Sequence, residues 1–334
     1  MENKHLLPSM RGQKVLITGG LGFIGSNLAH KCLELGAEVT IFDCLDPRSG
    51  GNLFNVHDIR DSIELCHQDI QDFSSVSHSI LNKNVIFNCA ASTSHPFSMR
   101  EPWIDLDVNS RGVVNLLEAI RRFNKQSCFI HIGTSTQLGK LQYDIADEKH
   151  PEFPTDIYSA NKCVSEKYVL IYAKSYAINT SVIRLSNVFG PRASIHSPDF
   201  TFNNYFIGLA LQNRDITVYG KGEQLRNVIY VDDAVSAIIM ASQNSRANGE
   251  TFFAVGDEHF SVAQIAEQTV KQMGSGGVKY IEWPKSRKAI EIGDAIISNK
   301  KIKEYLGWTP IDNLESGLIK TKAFYEKCLQ EYLR

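Results

Sequence analysis

The sequence lacks any apolar run of the roughly 18–20 residues that a membrane-spanning helix needs. Residues 1–13 carry charges but no long apolar stretch, so we expect a short N-terminal arm and not a signal peptide. A strong excess of charge is also missing, because the formal net charge is only −2 over 334 residues. This balance favours neither nucleic acid nor a membrane as a partner.

Cysteine pairs are missing as well. The seven cysteines are scattered, odd in number and never spaced C-x-x-C. This pattern predicts reduced thiols in a cytoplasmic protein, and neither a disulfide framework nor a metal site. With 43% hydrophobic and 22% charged residues, the chain has the composition of a globular protein. Its length suffices for one large α/β domain and a smaller partner domain.

Short β-branched runs alternate with helical patterns in the first half of the chain. This alternation predicts an α/β fold, a doubly wound parallel sheet of the Rossmann type with helices on both faces. The predicted strands cover residues 14–18, 38–42, 63–66, 85–88, 127–132 and 180–185, and the predicted helices cover 22–35, 103–123 and 156–175.

After residue 186 the alternation becomes irregular. Residues 194–204 read as a loop, 231–242 as a helix, 251–255 as a late strand and 314–332 as a final helix. We therefore predict a nucleotide-binding domain over residues 13–185, to which residues 231–256 return. A smaller, discontinuous α/β domain that binds the substrate is predicted to comprise residues 186–230 and 257–334.

A glycine-rich turn, Thr-Gly-Gly-Leu-Gly-Phe-Ile-Gly, joins the first strand to the first helix. Gly19, Gly22 and Gly25 allow a sharp turn, close approach of a pyrophosphate and tight helix packing. The helix N-terminus then offers free N–H groups to the phosphates. Asp43 ends the second strand, where a carboxylate accepts from ribose hydroxyls and repels a 2′-phosphate. The pattern predicts NAD as the cofactor, although the nearby Arg48 is a residue type that favours NADP.

A tyrosine and a lysine, Tyr158 and Lys162, lie four residues apart at the start of a predicted helix and therefore share one face. A nearby ammonium group and a cationic nicotinamide favour the phenolate, which would make Tyr158 a base. Upstream, Thr134 follows a buried strand, and a hydroxyl at that end of a parallel strand faces the ligand crevice. Y-x-x-x-K also occurs by chance on helix surfaces, but its position after a nucleotide-binding turn favours a catalytic role.

Together these motifs resemble the extended short-chain dehydrogenase/reductase family, in particular its nucleotide-sugar epimerases, dehydratases and decarboxylases. The resemblance runs from about residue 13 to the C-terminus, and it includes ordered matches at residues 184–192, 218–226 and 306–310. It implies further cofactor contacts from Phe23, Ile24, Asp69, Ile70, Ala90, Ala91 and Asn109. It also implies that a nucleotide-diphosphate sugar contacts Ser135, Thr136, Asn187, Arg226 and Arg287.

The resemblance also implies a reaction. Tyr158 removes the proton of a sugar hydroxyl, usually at C4, while a hydride moves to NAD⁺. Thr134 polarises the same oxygen, and Lys162 holds the nicotinamide ribose. In 4,6-dehydratases an Asp-Glu pair follows the threonine, and in the similar decarboxylases a Ser-Glu pair does, whereas this chain has Ser135 and Thr136.

Because epimerases need no additional acid or base, these two residues favour an epimerase that acts through a transient 4-keto sugar. A 4,6-dehydratase, a decarboxylase and a 4-keto-sugar reductase or dehydrogenase remain alternatives. A non-catalytic nucleotide sensor on the same fold is disfavoured, since such proteins commonly lose the tyrosine–lysine pair.

Several positions depart from the family pattern. Asn88 replaces the histidine of H-x-A-A, which predicts altered packing around the cofactor, and Gln137-Leu138-Gly139 replaces V-Y-G, which predicts an altered sugar pocket. His95 falls in a predicted loop near the hexose, and no role is assigned to it. The helices over 103–123 and 156–175 resemble those that pair across a dimer in this family, so a homodimer is expected.

Overall fold

A computed structural model describes residues 7–284, 288 and 291–333. Its strands within these ranges are β1 (Lys14–Thr18), β2 (Glu38–Asp43), β3 (Ile63–His67), β4 (Val85–Asn88), β5 (Cys128–Thr134), β6 (Thr180–Leu185), β7 (Val188–Phe189), β8 (Ile216–Tyr219), β9 (Leu225–Asn227), β10 (Ile229–Tyr230), β11 (Thr251–Ala254), β12 (His259–Ser261) and β13 (Val278–Ile281).

The α-helices in the same part of the chain are α1 (Phe23–Glu34), α2 (Phe73–Ser79), α3 (His95–Arg100), α4 (Pro102–Leu106), α5 (Gly112–Phe123), α6 (Ile157–Tyr176), α7 (Phe202–Leu211), α8 (Val231–Ser242), α9 (Val262–Met273), α10 (Lys300–Leu306) and α11 (Leu314–Cys328). A π-helical segment, Asp107–Arg111, joins α4 to α5. Across the described ranges, every helix is too short or too polar to cross a bilayer.

Seven parallel strands form the main sheet, in the order β3-β2-β1-β4-β5-β6-β11. Its two faces are both buried, since Val15 and Ile17 of β1 enter one apolar core and Leu16 enters the other. These features confirm the predicted doubly wound α/β fold. The strand order changes direction between β1 and β4, and in such sheets a crevice for ligands opens there, beyond the carboxyl ends of the strands.

A smaller set of elements lies beyond this edge. β8 pairs with β13, β9 with β12, and β7 with β10, while α7, α9 and α11 pack beside them. The segment over 194–204 is not a loop throughout, because α7 begins at Phe202. The matched segment over residues 306–310 is anchored on α8, where the buried Trp308 donates to the Ser236 hydroxyl at 2.8 Å. The division of the chain into two domains remains a prediction.

A buried ionic cluster fixes α6 against the sheet. Arg184 of β6 donates to both carboxylate oxygens of Glu166 on α6, at 2.6 and 2.8 Å, and also to Glu152. The Gln137 amide donates to Glu152 and Glu166, each at 3.0 Å. Arg184 and Glu166 are each only 1% exposed. The cluster therefore joins a strand, a helix and the turn after β5, and these elements carry Tyr158 and Thr134.

Removal of the Arg184 guanidinium should destabilise the fold. Because Arg184→Met would leave the Glu166 carboxylate buried without its closest cation, whereas Glu152 would keep Lys167 at 2.6 Å, we expect the free energy of unfolding to fall by about 3–5 kcal/mol. The matched control is Arg121→Met, since Arg121 pairs with Glu118 on the surface of α5 and such pairs contribute about 1 kcal/mol or less. Urea unfolding measures both variants, and equal losses would contradict a special role for the buried cluster.

Candidate active site

A cavity of about 1380 Å³ follows the carboxyl edge of the sheet and continues towards β8 and β9. Most of the residues predicted to bind ligands lie on its wall. They are Gly19, Gly22, Phe23, Ile24, Gly25, Asp43, Asp69, Ile70, Ala90, Ala91, Thr134, Ser135, Thr136, Tyr158, Lys162, Asn187 and Arg226. The predicted contact Arg287 lies outside the described residues.

The glycine-rich turn is packed so tightly that side chains cannot enter it. Gly19 has φ +66°, and a Cβ placed there would lie 2.6 Å from the backbone nitrogen of Ala90. A Cβ at Gly25 would lie 2.2 Å from the Gly19 carbonyl oxygen. Gly22 precedes α1 without a side-chain cap, so the first N–H groups of the helix face the cavity unshielded by a capping group. This geometry suits a pyrophosphate.

Asp43 lies at the end of β2 beside this turn. Its carboxylate accepts hydrogen bonds from the backbone N–H of Leu21 at 3.0 Å and of Leu45 at 2.8 Å. Burial raises its pKa, and these two bonds oppose the increase. Arg48, the cation that could attract a 2′-phosphate, is instead bound to Asp46. This arrangement favours a ribose with a free 2′-hydroxyl.

Asn109 is the exception among the predicted cofactor contacts. It lies in the π-helical segment, is 1% exposed and is absent from the cavity wall. Its amide donates to the Ser92 carbonyl at 2.8 Å and accepts from the Ser92 N–H at 3.2 Å. Since Ser92 lines the cavity, Asn109 supports the wall from behind.

Tyr158 and Thr134 lie together on the cavity wall. Tyr158 lies in the first turn of α6 and Thr134 ends β5, so the sheet edge brings together residues 24 positions apart. Burial raises the pKa of Tyr158 above its ordinary value, while a hydrogen bond with the Thr134 side chain opposes the increase. The predicted lowering of this pKa by Lys162 stays a prediction, because burial is the largest influence on Tyr158 in the protein alone. The phenol is therefore the resting form of Tyr158.

Lys162 is directed towards the sheet. Its ammonium donates to the Ile132 carbonyl at 2.5 Å and lies 3.3 Å from Nε2 of His131. Burial lowers the pKa of Lys162 to about 8. Burial, together with the Lys162 charge, also holds the pKa of His131 far below its usual value, so the imidazole is neutral. This neutral ring allows a lysine to be buried beside it.

Two of the residues that depart from the family pattern, Asn88 and Gln137, are buried behind the cavity wall. Asn88 is 1% exposed and contacts Thr18 at 2.7 Å and Nδ1 of His131 at 3.0 Å. Leu138 and Gly139 line the cavity, as predicted. Gln137 does not, because its side chain is fully buried in the Arg184 cluster. The prediction that the whole Gln-Leu-Gly segment lines the sugar pocket is therefore wrong for Gln137.

The far end of the cavity contains the predicted phosphate contacts. Asn187, with φ +44°, donates to the Asn227 carbonyl at 2.8 Å. The Arg226 guanidinium donates to the Gly293 carbonyl at 2.6 Å and contacts the Glu291 carboxylate at 3.1 Å. Glu291 also lines the cavity. Sequence reasoning missed this carboxylate because 65 residues separate it from the arginine that it contacts.

A second group that the sequence did not reveal lies next to Tyr158. His95 begins α3 and is not a loop residue, and its ring packs edgewise on the Tyr158 ring with centroids 4.7 Å apart. Its Nδ1 lies 2.8 Å from Oδ2 of Asp156. Both residues line the cavity. An aspartate two residues before the tyrosine signals a helix N-cap, and Asp156 does cap α6 through Ser159.

The fold and this set of side chains define a nucleotide-sugar enzyme of the extended short-chain dehydrogenase/reductase family. A family model described as GDP-mannose 4,6 dehydratase matches residues 16–321, so the chain belongs to that family. UDP-glucuronic acid decarboxylase 1 of Xenopus tropicalis is 32% identical over 330 residues, which cover 95% of this chain and 73% of the relative.

Solved structures agree with this assignment. UDP-glucose 4-epimerase of Thermotoga maritima, with UDP-glucose, has a TM-score of 0.85 at 28% identity and covers 95% of this chain and 100% of its own. dTDP-glucose 4,6-dehydratase of Bacillus anthracis, in complex with NAD, has a TM-score of 0.84 at 27% identity. The match covers 96% of this chain and 99% of the dehydratase chain. These similar proteins catalyse different reactions, so similarity alone defines the family and not the reaction.

Proposed function

We propose that this chain is an NAD-dependent nucleotide-sugar epimerase that acts through a transient 4-keto sugar. One observation carries the proposal: the Tyr158 phenol and the Thr134 hydroxyl share one wall of a cavity that continues into the glycine-rich turn. The turn after β5 bears Ser135 and Thr136. The Thr136 hydroxyl forms hydrogen bonds with the hydroxyls of Thr134 and Ser159. A turn without a carboxylate favours epimerisation over elimination at this point of the site.

NAD is the cofactor, and when bound it accepts a hydride from the sugar and returns it. The glycine-rich turn would hold its pyrophosphate, Asp43 the adenosine ribose, and Lys162 the nicotinamide ribose. For its part, the chain must orient the sugar hydroxyl and move its proton. Tyr158 takes that proton at its phenolic oxygen and later returns it, while the Thr134 hydroxyl donates to the sugar oxygen.

Since the pKa of Tyr158 is raised by burial, its ionisation depends on positive charge supplied nearby. Lys162, which is 3% exposed and lies on the same helix face, is the chain's own source of such charge.

The function is tested by incubation of the protein with a panel of UDP-, GDP-, CDP- and dTDP-sugars, followed by NMR. We expect inversion at C4 of one sugar. Tyr158→Phe should reduce turnover by about 10²–10⁴-fold, because it removes the group that moves the proton.

Binding of NADH to the same variant is the control, and it should be nearly unchanged. Near-normal turnover of Tyr158→Phe would contradict the catalytic assignment. Loss of the C6 hydroxyl in place of C4 inversion would show a dehydratase, and release of CO₂ from a uronic acid a decarboxylase.

We also propose that Arg226 binds the diphosphate of the substrate and that Glu291 competes with it. The carboxylate now occupies one edge of the guanidinium, which suits a planar anion. Arg226 is 13% exposed and Glu291 26%, so the pair lies at the cavity wall, within reach of a ligand. A diphosphate that binds there must displace Glu291 or share the arginine with it.

Two substitutions should therefore act in opposite directions on UDP binding. Arg226→Gln should weaken it roughly 10–100-fold, because hydrogen bonds to charged groups contribute about 1.5–3 kcal/mol. Glu291→Gln should tighten it, since the competing negative charge is removed. Titration calorimetry with UDP measures both.

The matched control is Lys221→Gln, because Lys221 lies in the same segment and pairs with Glu223 on the exposed surface. It should leave the affinity unchanged. Weaker UDP binding by Glu291→Gln would show that the carboxylate supports the phosphate site, and the competition model would then fail.

We further propose that the chain forms a homodimer through α4, α5 and α6. Large apolar side chains are exposed on these neighbouring helices, with Trp103 75% exposed and Ile171 52% exposed. Exposed apolar surface of this kind is typical of a contact between proteins.

Sedimentation velocity at micromolar concentration should show a dimer, and Trp103→Glu combined with Ile171→Lys should shift it to a monomer. The control is Ile311→Lys, which changes an equally exposed side chain outside these helices. A purely monomeric unsubstituted protein would remove the proposal.

A further inference from the structure

The cavity contains a histidine–aspartate pair that the proposed epimerisation does not use. His95 lies at the start of α3, and Asp156 lies immediately before α6. The Nδ1–Oδ2 distance between them is 2.8 Å, and their side chains are 37% and 17% exposed. Both line the cavity beside Tyr158.

The pair is held rigidly from several sides. Asp156 Oδ1 accepts from the Ser159 N–H at 2.8 Å, and the Ser159 hydroxyl contacts Oδ2 at 3.1 Å. Ser98 of α3 accepts from the backbone N–H of Tyr158 at 3.0 Å. Two hydrogen bonds therefore join α3 to the first turn of α6. His95 consequently has a fixed position relative to the phenol.

The partner of Nδ1 determines the tautomer of His95. Burial opposes ionisation of Asp156, but its hydrogen bonds with His95 and Ser159 help to hold the pKa of this carboxyl below its ordinary value. An ionised carboxylate only accepts hydrogen bonds, so Nδ1 must carry the hydrogen of the neutral ring. The lone pair is then on Nε2, for which the described residues provide no hydrogen-bond partner. An imidazole oriented by a carboxylate in this way is suited to act as a base.

We propose that His95, positioned by Asp156, is a second acid–base residue that moves a proton at a ring carbon next to the C4 ketone. This inference rests on the proposed function, because that reaction produces the ketone. Its consequence is an additional activity, which is reversible enolisation of a nucleotide-linked 4-keto sugar at C3 or C5.

The step balances without any co-reactant. Nε2 of His95 takes the proton from the C–H bond, and the electron pair of that bond forms a C=C double bond to C4. The π pair of the C4 carbonyl moves onto its oxygen, which accepts hydrogen bonds from the Tyr158 phenol and the Thr134 hydroxyl. In the reverse step the imidazolium returns a proton to carbon. In D₂O the imidazolium exchanges its proton, so deuterium enters the sugar.

The roles of the surrounding residues support this assignment. Ser135 and Thr136, on the turn after β5, are hydroxyl residues and thus poor bases for a C–H bond. Asp156 accepts several hydrogen bonds and is therefore a positioning residue for His95. Tyr158, as a phenol, can donate to the enolate oxygen. Among these groups, His95 alone has an unoccupied basic atom beside the phenol.

The test supplies the ketone directly, so it does not depend on oxidation of a sugar by the protein. The probes are UDP-4-keto-6-deoxyglucose and its dTDP analogue in D₂O, and NMR measures deuterium at C3 and C5 against a sample without protein. The unsubstituted protein should accelerate exchange at one carbon. His95→Gln, which retains a donor towards Asp156 but lacks a basic nitrogen, should lower that rate by about 10²–10⁴-fold.

Asp156→Asn is the second variant, because asparagine still caps a helix but no longer orients the imidazole as a carboxylate does. It should lower the exchange rate by a smaller factor. His196→Gln is the matched control, since His196 is exposed and contacts only Ser194 in the described part of the chain. This variant should catalyse deuterium exchange at the same rate as the unsubstituted protein. UDP affinity and C4 inversion are measured on all three variants.

Three results would overturn the inference. They are no exchange above background by a protein that binds UDP, full exchange by His95→Gln, and loss of exchange in that variant together with loss of UDP binding. The last result would show that His95 only holds the pocket together. Failure of the proposed function is a separate outcome, because absence of C4 inversion on every nucleotide sugar does not affect exchange on a supplied ketone.

Discussion

A lysine whose ammonium is buried constrains much of this site. Lys162 is 3% exposed, so its ammonium requires partners within the protein. The Ile132 carbonyl and the neutral His131 ring provide them from β5. His131 in turn contacts Asn88 of β4, which contacts Thr18 of β1. Three adjacent strands thus contribute to the position of one side chain. Asn88 is part of this series of polar contacts and does not line the cavity.

The same burial shifts the protonation of Tyr158 and Lys162, the pair proposed as catalytic. It raises the pKa of Tyr158 and lowers that of Lys162, so in the protein itself both groups tend towards their neutral forms. Sequence spacing places the two residues on one helix face, and that much is correct. Spacing alone does not reveal that the ammonium faces a backbone carbonyl. The electrostatic effect of a lysine depends on the direction of its side chain, which the surrounding strands determine.

Local signals predicted the sheet and the cofactor turn well. The predicted bounds of β6 and α8 match the structure, because apolar runs and caps are properties of short segments. No helix was predicted over α7, where polar residues interrupt the apolar pattern near Phe202, or over α9, although Ser261 and Gln264 form a capping box there. Glu291 beside Arg226 and His95 beside Asp156 are long-range contacts. Such contacts follow from the path of the chain, which residue spacing does not encode.

The contact between α3 and α6 therefore says more about the reaction than the turn after β5 does, because it brings acid–base groups next to Tyr158. Thr134 at the end of β5 and the turn that follows it provide hydroxyl groups but no carboxylate, whereas Asp156 both caps α6 and contacts Nδ1 of His95. Because this carboxylate caps the helix that carries Tyr158, it couples the position of the phenol to that of the imidazole. On the proposal made above, the two acid–base residues then act on adjacent atoms of one sugar, Tyr158 on the oxygen at C4 and His95 on a neighbouring carbon. The fate of the ketone is consequently decided where the two helices meet.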